Sequence, residues 1–123
     1  MKILETKDAP QPIGPYSQGI ELDGFIFLSG QIGVKPETGE MDDNLVQQTR
    51  QVMNNISAML KSAECSFSNV LKSTIYLKNI SDFAEFNKLY SEYFKEDPPA
   101  RTTVEVSSLP RNALIEIDII AHK

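Results

Sequence analysis

NLVQQTRQVMNNISAMLKSA, residues 44–63, is the stretch that decides the fold. Its apolar residues Leu45, Val52, Met53, Ile56, Met59, Leu60 and Ala63 recur at intervals of three and four. That spacing lays one apolar stripe along an amphipathic helix, with Asp42 or Asp43 in place to cap it. Outward toward the C-terminus, Val70 to Leu77 is β-branched and aromatic and predicts a strand. A second helix is expected from Asp82 to about Phe94, capped by Ser81, with Phe83, Phe86, Leu89, Tyr90 and Phe94 turned inward. Two further strands, Thr102 to Val106 and Leu114 to Ala121, are joined by a short link through Pro110, which predicts that they pair antiparallel.

Toward the N-terminus, Ile20 to Leu28 reads as two strands about Asp23-Gly24, a pair that accepts the positive φ angles of a type I′ hairpin turn. The sum is a single domain over residues 1–123, of α+β class, with two helices on one sheet. Two helices cover one sheet face only. The run Phe25 to Leu28, with Ile115, Ile117, Ile119 and Ile120, predicts that the other face is partly apolar, hence a homo-oligomer packed sheet to sheet.

Composition narrows the functions available. Apolar content of 41% and charged content of 24% are those of an ordinary globular chain. The N-terminus, MKILETKDAP, has no signal-peptide run, and no apolar stretch approaches the ~20 residues that cross a bilayer, which predicts a cytoplasmic protein without a membrane partner. With one cysteine, Cys65, and one histidine, His122, a disulfide within the chain and a Cys/His zinc cluster are excluded by counting. Cys65 stands where helix gives way to strand and reads as a buried, idle thiol. His122, next to the last residue, is expected to lie in a frayed end. A net charge of −5 with scattered cations offers no electrostatic source for nucleic-acid binding.

The polar residues that packing does not explain begin at PPARTTVEV, residues 98–106. Alternation puts Thr102, Val104 and Val106 on one face and Arg101, Thr103 and Glu105 on the other. In the last strand, Glu116 and Asp118 share a face. If these two strands pair, a guanidinium and a carboxylate project toward one space, either as a cross-strand salt bridge or as a catalytic pair. Alternation leaves both open.

IGPYSQG at 13–19, LSGQIG at 28–33, PARTTVEV at 99–106 and LPRNALIEIDIIA at 109–121 resemble, in order and spacing, the RidA/YjgF family of reactive-intermediate deaminases. The resemblance runs from end to end. It implies a chorismate-mutase-like mixed sheet, a homotrimer, and sites in clefts between subunits. It also implies hydrolysis of enamines and imines such as 2-aminoacrylate and 2-aminocrotonate, released by pyridoxal-phosphate-dependent dehydratases, to 2-oxo acids and ammonia, with no metal or organic cofactor of its own. By resemblance Arg101 holds the substrate carboxylate and Glu116 positions water. Tyr16, Ser29, Gly30, Asn87 and Thr103 line the pocket. For three of these a structural duty competes: Tyr16 as an interface aromatic, Ser29 as a strand-end turn former, Asn87 as a solvated helix residue.

Two positions depart from the family pattern. Thr103 stands where many members carry cysteine, and Gly33 where proline follows the SGQI motif. Hydrolysis by activated water needs no thiol, so Thr103 is expected to preserve the reaction. Two other function classes accompany the deaminase reading: an endoribonuclease or translation inhibitor, which the lack of a basic tract disfavours, and a ligand-sensing or chaperone-like binding protein.

Overall fold

The computed structural model describes residues 1–123. The predicted first helix, α1, spans Leu45–Ser62 and is capped by Asn44, whose Oδ1 accepts the Gln47 N–H at 2.9 Å. The cap is therefore neither Asp42 nor Asp43. Asp42 is engaged one turn earlier, its carboxylate with Lys35 and its carbonyl with the Gln48 amide. The helix ends where Glu64 turns to φ 61° and the Cys65 N–H reaches back to the Leu60 carbonyl at 2.8 Å. Val52, Met53, Ile56, Met59 and Leu60 are fully buried on its inner face. Each such side chain contributes roughly 1.5–3 kcal/mol of transfer free energy.

The sheet contains β1 (Lys2–Leu4), β2 (Gly19–Leu22), β3 (Phe25–Gln31), β4 (Val70–Leu77), β5 (Ala100–Glu105) and β6 (Ile115–His122). The second helix, α2, spans Phe83–Ser91 between β4 and β5. Across the sheet the order is β1-β2-β3-β6-β4-β5, antiparallel throughout except for the parallel pair β4-β5. The Asp23-Gly24 turn has φ of 52° and 82°, as its sequence requires. α2 is shorter than expected. A 3₁₀ turn at Ile80–Asp82 precedes it, and the carboxylate of Glu105, rather than the side chain of Ser81, takes the Ile80 N–H at 2.9 Å.

One expectation fails with consequences for the site. β5 and β6 do not pair: β4 lies between them, parallel to β5 and antiparallel to β6. The crossover through α2 places β5 on one side of β4 and leaves the other side free for β6. Skipping one strand covers only about 10 Å, so a short link suffices. That link turns through Arg111 and Asn112, both left-handed at φ 57° and 56°.

Ile115, Ile117 and Ile119 all face the helices and are buried, so only Ile120 of that isoleucine set reaches the open face. The open face is nonetheless apolar at one end, where Phe25 and Phe27 remain 41% and 44% exposed. His122 is not frayed. It is held in β6 opposite Phe25, with the rings edge to face at 4.6 Å. Cys65 is buried, which raises its thiol pKa. No helix is long and apolar enough to cross a membrane.

Candidate active site

The in-register parallel pairing of β4 and β5 matches Ser73 with Arg101 and Ile75 with Thr103. Ser73 and Ile75 are buried under the helices, so Arg101 and Thr103 face the helical layer too. In β6, Glu116 is matched with Tyr76 and therefore points to the open face. Arg101 and Glu116 thus stand on opposite faces of one sheet with a strand between them. Neither the cross-strand salt bridge nor a catalytic pair within the chain exists.

Around Arg101, the guanidinium carbon lies 4.9 Å from the ring centre of Tyr90, 5.5 Å from Phe83 and 5.7 Å from Phe86. Tyr90 is itself fixed by a 2.6 Å hydrogen bond shared with the Ser73 hydroxyl. The aromatic residues that the helical period turns inward therefore hold the cation by their π faces. No carboxylate forms an ion pair with it. Its planar set of N–H donors stays free at the mouth of a cleft of about 390 Å³ bordered by Asn87, Tyr90, Phe94, Pro98 and Pro99. Two nearby polar atoms, Asn87 Oδ1 and Thr103 Oγ1, are buried without a hydrogen-bond partner. An unpaired buried polar atom costs about 1–3 kcal/mol, a cost commonly tolerated where a ligand supplies the partner.

Around Glu116, the chain forms a second cavity, of about 290 Å³, lined among others by Tyr16, Gln18, Gly30, Gln31, Arg111 and Glu116. A Cβ at Gly30 would run into Glu116 Oε2, so glycine there leaves the carboxyl its observed position. Burial first, and the negative charge of Asp118 second, raise the Glu116 pKa above the ordinary carboxyl range. A raised pKa moves a carboxyl toward the range in which it can serve as both acid and base. The N-terminal loop that walls this cavity is tied down by buried Gln18, whose Oε1 accepts the Thr6 N–H at 2.8 Å and whose amide donates to the Pro10 carbonyl at 2.9 Å. Tyr16 is 54% exposed at the rim.

The seven residues expected at the site therefore divide. Tyr16, Gly30 and Glu116 share one cavity, whereas Arg101, Asn87 and Thr103 cluster on the opposite sheet face. Ser29 lies apart, within β3, its hydroxyl donated to the Ser17 carbonyl at 2.6 Å; this ties the strand to the segment before β2 and is not the strand-end turn expected of it. Sequence reasoning did not single out Arg111, which lines the Glu116 cavity and donates to the Gly39 carbonyl at 3.0 Å. Nor did it find Tyr76, whose hydroxyl donates to Asp118 Oδ2 at 3.0 Å beside Glu116. The Arg111 signal was a cation in a Pro-Arg-Asn turn, the Tyr76 signal a lone polar ring in an apolar strand.

The family model described as Endoribonuclease L-PSP matches residues 6–123. A RutC family protein of Pyrococcus horikoshii is 50% identical over 99% of this chain and 98% of its own. The mouse 2-iminobutanoate/2-iminopropanoate deaminase is 40% identical over 98% of this chain and 90% of its own. The crystal structure of E. coli TdcF with bound serine, 37% identical, superposes with a TM-score of 0.96 over 100% of both chains. The chain belongs to the Endoribonuclease L-PSP family, that of the RidA/YjgF proteins its motifs resemble.

Proposed function

We propose that this protein hydrolyses small enamine and imine acids of the 2-aminoacrylate and 2-aminocrotonate type to 2-oxo acids and ammonia. The reaction would occur where the Glu116 cavity of one subunit meets the Arg101 cleft of the next in a homotrimer. One observation carries this reading. Each half holds a charge that nothing in its own chain neutralises: Arg101 has no carboxylate partner and Glu116 no cation within ion-pair distance. The apolar part of the open face, around Phe25 and Phe27, is the surface by which subunits would meet. The mouse relative's name and the serine bound to TdcF support a small amino-acid-like substrate.

Arg101 grips the substrate carboxylate through two parallel hydrogen bonds, a geometry its planar fork allows and a lysine does not. Glu116, protonated, gives its proton to the enamine β-carbon: the C=C π pair forms the new C–H bond while the nitrogen lone pair forms the C=N bond of the iminium. As carboxylate it then takes a proton from the water that adds to the C=N carbon, producing a carbinolamine. Returning that proton to nitrogen lets ammonia leave, and the hydroxyl proton comes back to Glu116 as the C=O bond forms. One carboxyl group closes the cycle. The net charge of −5 and the absence of a basic tract give the nucleic-acid reading that the family description carries no electrostatic support.

The direct test adds purified protein to a threonine or serine dehydratase reaction and follows 2-oxo acid appearance in the first seconds. Acceleration by the wild type that disappears in Glu116→Gln is expected. An unaccelerated reaction rejects the proposal.

A further inference from the structure

Two carboxyl groups, Glu116 and Asp118, stand two residues apart on the open face of β6. On that spacing their Cα atoms are about 7 Å apart, near enough for the charge of one to hinder ionisation of the other. A mechanism that runs through Glu116 needs the shared proton there and not on Asp118. Across β4, Tyr76 is matched in register with Glu116 and Thr74 with Asp118. The Tyr76 side chain nonetheless runs diagonally, donating its O–H to Asp118 Oδ2 at 3.0 Å and making no bond to Glu116. A donated hydrogen bond favours the ionised form of its acceptor.

We propose that Tyr76 and Asp118 are a positioning pair that allocates the proton: Tyr76 keeps Asp118 ionised, and the fixed Asp118 charge keeps the proton on Glu116. This rests on the deaminase reading only for its consequence in turnover. The other groups that face Glu116 are consistent with it. Gly30 and Gln31 of β3 do not titrate, nor do Thr102 and Val104 of β5. Tyr16 and Arg111 approach from the loops that line the cavity. Lys72 lies on the same face of β4, beyond Asp118, and forms no ion pair with it. The cavity side holds Glu116, and the Tyr76 side holds the carboxyl that accepts a hydrogen bond, so the two groups sit in different environments. Burial and Asp118 do raise the Glu116 pKa, and the bond to Asp118 is the largest cause of the raised Tyr76 pKa.

The test is a carboxyl-carbon NMR titration of the intact protein, with Glu116 assigned by its loss in Glu116→Gln, alongside kcat/KM for enamine hydrolysis against pH. In wild type, Glu116 should titrate above Asp118. Asp118→Asn, which can still accept the Tyr76 hydrogen bond and so keeps the fold, should lower the Glu116 midpoint. Tyr76→Phe should lower it by less, while raising that of Asp118. The falling high-pH limb of kcat/KM should move with it, about tenfold in rate per unit on that limb. A Glu116 midpoint unmoved in both variants, or an Asp118 midpoint above that of Glu116 in wild type, overturns the proposal. A midpoint that moves as expected in a protein without deaminase activity upholds the proton allocation and rejects the function instead.

Discussion

Arg101 and Glu116 are the two charges the proposed chemistry uses, and their surroundings are opposites. Arg101 sits on the helical face of an edge strand, its guanidinium packed against three aromatic rings. Glu116 sits on the open face of a central strand, in a cavity of loops, with a raised pKa set by burial and by Asp118. In the proposed reaction the first aims the substrate and the second exchanges protons. Rigid aromatic packing suits a group that must only bind, whereas a group that gives and takes protons needs a neighbourhood that tunes it.

The contrast can be broken most forcefully at Glu116. Glu116→Gln is nearly isosteric but carries no exchangeable carboxyl proton, so kcat should fall by about 10²–10⁴-fold with KM little changed. Steady-state kinetics on a dehydratase-generated enamine measures both. Unchanged kcat would reduce Glu116 to a structural residue.

Arg101 should respond differently. Losing one partner of a shielded charge pair costs about 2–5 kcal/mol, which is roughly 30- to several-thousand-fold in kcat/KM. Arg101→Ala should show that loss while keeping its assembly state and most of its melting temperature, since the π contacts it gives up are worth about 1 kcal/mol at a partly exposed site. Arg101→Lys should be poor as well, for want of the fork. Early melting with full turnover per folded molecule would instead make Arg101 a packing residue.

The smallest effect is on stability and separates the two charges by pH. The folded state raises the Glu116 pKa, so it holds that proton more tightly than the unfolded chain does. Its contribution to stability is present below the unfolded carboxyl pKa, about 4.3, and is lost as pH rises through the higher folded value. Glu116→Gln removes this penalty and should raise the melting temperature at neutral pH by a few degrees, with the gain vanishing at acid pH. Thermal melts at several pH values show it. A variant less stable than wild type at neutral pH would mean that the carboxylate is stabilised by partners rather than strained.

What the sequence made legible follows from how local each signal is. The strand Val70–Leu77 and the Asp23-Gly24 hairpin were read with their observed bounds or turn, because β-branching and positive φ act within a few residues. The α1 stripe was equally plain, though the cap fell on Asn44, since only the fold commits Asp42 to Lys35 and Gln48. β1, three residues long, offers too little alternation to detect. Strand order was hidden because it depends on which side of β4 each neighbour takes, and a short link fits either arrangement. That one misreading put Arg101 and Glu116 in a common space within the chain. Their chemical roles came from family resemblance, while the diagonal bond from Tyr76 to Asp118 depends on register, which no single strand discloses.

If Arg101 and Glu116 act together although one chain holds them apart, they must come from different subunits. Arg101→Ala and Glu116→Gln, each inactive alone, should therefore complement one another when mixed in equal amounts and allowed to exchange subunits by refolding. Each site in the mixed oligomers takes its glutamate from one chain and its arginine from a neighbour, so about a quarter of the sites (one half times one half) are intact. Recovery of about a quarter of wild-type deaminase activity is the expected result. A mixture as inactive as its components, with exchange confirmed by mass, would contradict a site shared between subunits.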